Sequence, residues 1–203
     1  MAPRPRILVA TKNPDKIREI SDALSGLDLV LVSMHDIPDL PDVDEDQNTL
    51  QDNAMKKARE LSQFTGLPAL ADDTGLEVDA LNGAPGVYSS RYAGANAAYE
   101  ENVRKLLQEM HSKSNRSARF RTVAALVWNH HIRTVEGVCE GEILTERRGD
   151  GGFGYDPVFY IPEYGQTFAQ MPLTLKNKIS HRGKAIAKIK PMVLQLLQDL
   201  HID

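Results

Sequence analysis

The sequence predicts an α/β protein: a mixed, elongated β-sheet with flanking helices. Three observations predict it. Two short apolar runs near the N-terminus bracket a helical pattern, two long strand-like runs fill the second half, and stripes at helical spacing occupy the rest. Residues 7–10 (ILVA) form a continuous apolar run of the kind a buried strand shows. Thr11-Lys12-Asn13-Pro14-Asp15-Lys16 follows, with Asn13 suited to a helix N-cap and Pro14 to the first helical position. Ile17, Ile20 and Leu24 then recur at helical spacing, and residues 29–32 (LVLV) read as a second strand. Asp36, Asp39, Asp42, Asp44, Glu45 and Asp46 crowd a segment that reads as a loop. Thr49-x-x-Asp52 resembles a capping box opening a helix whose face is Leu50, Ala54, Ala58 and Leu61. Lys57 falls at the edge of that face and Lys56 points more toward solvent. Residues 68–71 (PALA) read as a short strand ending at Asp72-Asp73. Asn96 suits the cap of a helix striped by Tyr99, Val103, Leu106, Leu107 and Met110. Residues 118–128 (ARFRTVAALVW) and 134–143 (TVEGVCEGEI) read as long strands joined through Asn129-His130-His131. A last helical region begins near His181 or Arg182, and Pro191 is expected to kink or divide it.

The length of 203 residues suits one large domain or two tightly joined lobes, and 1–203 reads as a single domain without repeats or low-complexity linkers. Net charge is −4 with no basic stripe, which argues against a nucleic-acid partner. No stretch approaches the length of a membrane span, and the N-terminal apolar run is too short for a signal peptide. Cys139 is the sole cysteine, so no intrachain disulfide forms; a reducing, cytoplasmic setting is expected, with Cys139 a small buried strand residue. His35, His111, His130, His131 and His201 show no metal-ligand spacing and receive no role.

Chemistry concentrates in three separated blocks where polar groups sit beside glycines: residues 71–79 (ADDTGLEVD) with 83–92, residues 151–157 (GGFGYDP), and residues 180–183 (SHRG). The opening strand–turn–helix is a fourth. Its helix N-terminus presents unpaired N–H groups to an anion, with Thr11 and Asn13 as neutral donors and Lys16 as a mobile cation, although taken alone the segment reads more readily as capping. Asp72 and Asp73 should repel unless a cation or proton intervenes. On a strand they face opposite ways, so one can hold Mg²⁺ while the other braces the loop, with Glu45 as a second carboxylate. Asp-Thr-Gly is also ordinary turn chemistry. Phe153 can stack on a base while Asp156 accepts from ring N–H groups, or Phe153 and Tyr155 are simply local core. Arg182 offers a fork to a carbonyl or phosphate, or His181-Arg182 is an ordinary helix start.

Together these blocks resemble the inosine/xanthosine triphosphate pyrophosphatase family. The matching segments are ILVATKNPDKIREI, TLQDNAMKKA, PALADDTGLEVDALNGAPGVYSSRYAG, GGFGYDPVF and LKNKISHRGKA, in order across nearly the whole chain. The resemblance implies two lobes around a central nucleotide-binding cleft, usually in a homodimer. It also implies Mg²⁺-dependent hydrolysis of non-standard purine triphosphates (ITP, dITP, XTP) to the monophosphate and pyrophosphate. By motif, Asp73 matches the general base and a metal ligand, and Glu45 a further ligand beside Asp44 and Asp46. Thr11, Lys12, Asn13, Pro14, Asp15 and Lys16 match the phosphate loop, and Lys57 the lysine facing the triphosphate. Thr74, Phe153, Gly154, Tyr155, Asp156, Lys176, His181 and Arg182 match nucleotide contacts, with Arg182 suited to donate to the purine O6. The chain departs from the family pattern at Asp15, where glycine is usual, at Gln47, Leu50 and Asp52 before and within the second helix, and at Thr74, where serine is common. Two other readings remain open: a pyrophosphatase of other modified or pyrimidine triphosphates, and a non-catalytic nucleotide-binding module.

Overall fold

A computed structural model describes residues 4–200; His201 lies outside them. Along the chain run β1 (Arg6–Val9), α1 (Pro14–Ala23), β2 (Val30–Ser33), α2 (Leu50–Thr65), β3 (Ala69–Val78) and β4 (Pro85–Gly86). They are followed by α3 (Tyr99–Glu109), β5 (Ser117–Trp128), β6 (His131–Ile143), β7 (Phe159–Ile161), β8 (Gln166–Thr167), α4 (Leu173–Ile179) and α5 (His181–Leu200). The described strands form one sheet in the order β2-β1-β3-β5-β6-β7-β8, with β4 paired to β3. It is mixed: β1 is parallel to β2 and β3, while the β3–β4, β6–β7 and β7–β8 pairs are antiparallel. The α/β class with a mixed sheet is therefore as the apolar runs predict.

The chain forms two compact units. The first comprises the segment up to Asp73, Thr122–Gly137 and the segment from Arg182 on; the second comprises Thr74–Arg121 and Val138–His181. In the first, Ile7 and Val9 of β1, Ile20 and Leu24 around α1, Leu126 of β5, and Ile186, Ile189, Val193 and Leu196 of α5 share one buried core. In the second, Leu76, Val103, Leu106, Phe120, Phe159 and Phe168 share another, which also takes in Cys139. Long helix stripes and β-branched strand residues thus each find an apolar face to bury, the dominant stabilising term.

Local chemistry sets the element ends. Asn13 caps α1: its Oδ1 accepts from the backbone N–H of Asp15 at 2.9 Å and of Lys16 at 3.3 Å, and Pro14 opens the helix. Asn13→Ala is expected to cost about 1 kcal/mol of unfolding free energy, read as a lower urea midpoint at unchanged slope. At α2, Thr49 Oγ1 accepts from the Asp52 N–H at 3.0 Å as expected of a cap. Its hydroxyl also donates to the Asp52 carboxylate at 2.6 Å, a side-chain link in addition to that N-cap bond.

Three expectations are corrected. β3 does not stop at the acidic pair but runs on through Asp72, Asp73 and Thr74 to Val78, so Asp-Thr-Gly is strand, not turn. Gly75 serves close backbone approach instead, since a Cβ there would lie 2.7 Å from the Gly86 carbonyl oxygen on β4. Asn96 does not cap α3; Ala98 holds that position, with Glu101 accepting from its N–H at 2.7 Å. α5 continues through Pro191 rather than dividing, because a long apolar stripe on both sides of the proline is buried in the first core.

Candidate active site

The acidic pair lies mid-strand, and alternation along β3 separates its two members. Both are buried. Asp72 Oδ2 receives Nε and Nη2 of Arg182, each at 3.0 Å, and Lys16 Nζ at 3.2 Å. The remaining arm of the guanidinium, Nη1, donates to Glu19 of α1. Arg182, 1 % exposed, is thus bound to two carboxylates of its own unit. Burial works to raise the Asp72 pKa, but Lys16, Arg182 and Lys57 overcome it and hold this carboxyl well below the usual range.

Asp73 sits in a different field. Its Oδ2 accepts from Asn53 Nδ2 of α2 at 3.0 Å. Burial and then the Glu45 carboxylate push its pKa above the ordinary value, against Lys16 and Lys57. Glu45 comes from the acidic loop and pairs with Lys57, which α2 buries almost completely instead of leaving it at the edge of the helix face. For Glu45, burial raises the pKa, but Lys57 and Lys16 outweigh it and the net shift is downward. Its neighbours are engaged elsewhere. Asp46 accepts from Lys56 Nζ at 2.8 Å and from Gln47 Nε2 at 2.6 Å, and the Asp44 carbonyl accepts from Lys56 at 3.0 Å. Of the three acidic candidates, Glu45 is the one that pairs with Lys57 and helps to raise the Asp73 pKa.

The strand–turn–helix segment belongs to the same unit. Thr11 Oγ1 accepts from the Asn13 N–H at 3.2 Å, and Lys12 pairs with Asp42 at the surface. Asp15, in the place where glycine is usual, turns to Arg18 Nη2 at 3.0 Å, an i,i+3 pair along α1. Its charge is thus partly answered within the helix.

In the second unit, residues 151–156 form a tight turn. The Phe153 N–H donates to Asp156 Oδ2 at 2.8 Å, and the buried Lys176 ammonium of α4 pairs with the same carboxylate. Gly152, at φ +69°, packs so closely on Asp156 that a Cβ would lie 2.2 Å from Oδ2. Lys176 Nζ also stands 4.9 Å from the centroid of the Phe153 ring, a cation–π distance, and Phe153 itself is half-buried beside Tyr99. His181 is stacked on Phe120, with centroids 4.4 Å apart. Tyr155 is core: it is buried among the aliphatic residues of that unit, and its hydroxyl donates to the Ser89 carbonyl at 2.9 Å. Thr74 opens this unit's share of β3, and Gly154 takes φ +59° beside Tyr155.

The sequence reading gave no role to Glu19 or Asn53. Both carried a positional signal: Glu19 follows Lys16 by three residues, and Asn53 precedes Lys57 by four, so each shares a helix face with a lysine of the cluster.

Buried carboxylates among lysines in the first unit, and an aromatic–carboxylate–lysine group beside a glycine turn in the second, are two polar clusters of an α/β protein. The chain belongs to the Ham1 family, whose family model matches residues 7–192. It is 52% identical over 188 residues to a dITP/XTP pyrophosphatase of Geobacter sulfurreducens, covering 91% of this chain and 94% of that protein. A dITP/XTP pyrophosphatase of Desulforamulus reducens is 48% identical over 200 residues, covering 97% and 98%. The solved structure of a HAM1 protein from Coxiella burnetii superposes with a TM-score of 0.86 at 42% identity, covering 94% of this chain and 99% of that one. No described helix is long and apolar enough to cross a membrane.

Proposed function

We propose that this protein hydrolyses non-standard purine nucleoside triphosphates (ITP, dITP and XTP) to the nucleoside monophosphate and pyrophosphate, and that it does so with Mg²⁺. The observation that carries the reading is the gathering of Asp73, Glu45, Lys57 and Lys16 in one unit, all but Glu45 from sheet and helix rather than loop. The relatives named dITP/XTP pyrophosphatases support it across nearly the whole chain.

The donor set suits magnesium. No group of three or more His, Cys, Asp or Glu side chains is gathered for a metal among the described residues, which disfavours an all-protein cage. Magnesium needs no such cage; one or two carboxylates, water and substrate phosphates suffice, and Asp73 and Glu45 supply hard carboxylate oxygens. When bound there, the ion would neutralise charge developing on the phosphates.

The chain's own residues take the other roles. Asp73 removes a proton from the attacking water, its carboxylate held in place by the Asn53 amide. Lys16 and Lys57 answer phosphate charge, and Thr11 and Lys12 add a hydroxyl and an ammonium ahead of α1, whose first N–H groups are taken up by Asn13 after Pro14 opens the helix. Asp15 stays on Arg18. Phe153 stacks on the purine, and Asp156 and Lys176, with His181 and Thr74, present polar groups to the nucleotide. Arg182 is assigned to holding Asp72, the neighbour of the base, because its fork is already bound there. Gly154 and Tyr155 shape the turn that presents Phe153 and Asp156. The active form is proposed to be a homodimer working in the cytoplasm.

The test is a panel of ITP, XTP, dITP, ATP, GTP and dTTP, with and without Mg²⁺, with pyrophosphate measured. Magnesium-dependent pyrophosphate release is expected, with ITP preferred over ATP by about 100-fold or more, since a site built on one polar edge rejects its mismatch. Equal turnover of ATP and ITP would overturn the base assignment, and orthophosphate as the first product would overturn the bond assignment.

A further inference from the structure

Asn53 is 1 % exposed and lies on α2 one turn before Lys57. Both ends of its carboxamide are bound. Oδ1 accepts from the Gln47 backbone N–H at 2.9 Å, and Nδ2 donates to Asp73 Oδ2 at 3.0 Å. A backbone N–H only donates and a carboxylate only accepts, so these two bonds fix which way the amide points. Packing alone would favour an apolar side chain here, because a buried amide is costly unless bonded.

Gln47 closes the acidic loop, and the loop is pinned on both sides of Glu45. Lys56 holds the Asp44 carbonyl and the Asp46 carboxylate ahead of and behind it, and Asn53 holds the next residue. Glu45 itself reaches Lys57, the residue one helical turn beyond Asn53. One face of α2 therefore grips the loop at four points and Asp73 at a fifth.

We propose that Asn53 is a positioning residue: its single carboxamide sets the Asp73 rotamer and, through Gln47, the placement of Glu45. The two carboxylates are thereby kept in a fixed relation that neither strand nor loop would enforce alone. A loop carrying Glu45 has no ladder to hold it, and mid-strand backbone does not choose a side-chain rotamer. The inference deepens the pyrophosphatase reading and rests on it for the roles of Asp73 and Glu45.

Two variants separate the arms. Asn53→Asp keeps an acceptor for the Gln47 N–H but loses the donor to Asp73; Asn53→Ala loses both. Amide hydrogen exchange at Gln47 in the metal-free protein and steady-state kinetics with ITP are the readouts. Asn53→Ala should exchange the Gln47 amide about tenfold faster or more, while Asn53→Asp keeps it protected. Both should lose about 10- to 100-fold in kcat with KM changed less than about threefold, as for an interaction that matters in the transition state. A residue that only fills space would not split the two variants at Gln47. The proposal is overturned if Asn53→Ala leaves Gln47 exchange unchanged, or if Asn53→Asp keeps wild-type kcat. Should Asn53→Ala fail to fold, Asn53→Asp decides by its kcat. If the wild-type chain does not turn over ITP, the activity reading falls by itself, and Gln47 exchange still decides whether Asn53 holds the loop.

Discussion

Asp73→Asn is expected to lower kcat for ITP by roughly 10²- to 10⁴-fold while the protein melts within a few degrees of wild type. The substitution keeps size and shape on β3, and Asn53 Nδ2 can still donate to the new amide oxygen. What it removes is the carboxylate, and with it any capacity to take a proton near neutral pH. Stability should hold because the cations Arg182 and Lys16 reach Asp72, on the other side of the strand. Removing a charge that Glu45 opposes also relieves a like-charge contact. Kinetics at saturating ITP and a thermal melt check both halves. A variant that keeps kcat within tenfold of wild type would transfer the base to another group, with Glu45 the nearest candidate in chemistry.

Legibility in the sequence followed how local the determining physics was. Asn13-Pro14 announces α1 because a cap acts within three residues, and apolar runs announce β1, β5 and β6 because a strand's period is two. The continuation of β3 through Asp72-Asp73-Thr74 was hidden for the same reason. Two carboxylates followed by Thr-Gly favour a turn locally, and the strand is held by partners far away in sequence: Arg182 on Asp72, Asn53 on Asp73, and β4 against Gly75. Asn96 misled as a cap because Ala98 has no capping side chain and takes the position only through the reach of Glu101 back to its N–H. The motif residues themselves, from Lys16 to Lys176, were legible as chemistry. Their partners were less so: that Arg182 faces carboxylates and that Tyr155 is core are long-range facts no spacing encodes, while Glu19 and Asn53 showed only the helix face each shares with Lys16 or Lys57.

The largest stability effect is expected at that hidden centre. Arg182→Met should destabilise the protein by about 3–5 kcal/mol, because it strips Asp72 and Glu19 of the buried cation they share, which Lys16 replaces only in part at Asp72. In a chain of this size that lowers Tm by roughly 6–20 °C. The penalty belongs to the orphaned charges rather than to the lost contact, which a second variant separates. Adding Glu19→Gln to Arg182→Met should recover part of the loss, giving a non-additive cycle, whereas Glu19→Gln alone should be destabilising. Additive behaviour would mean that Arg182 matters for its volume. The same network fixes a pH dependence. The folded-state pKa of Asp72 lies below its unfolded value, so the unfolded chain takes up the proton first as pH falls. Its contribution is complete above the unfolded value of about 4 and disappears as pH drops from there toward the folded value. Urea midpoints of the wild type should therefore fall steeply below about pH 4, and this slope should shrink in Asp72→Asn, which has no proton to gain at that position. An unchanged slope in Asp72→Asn would assign the acid sensitivity to other carboxylates and remove Asp72 from the role of the network's anchor.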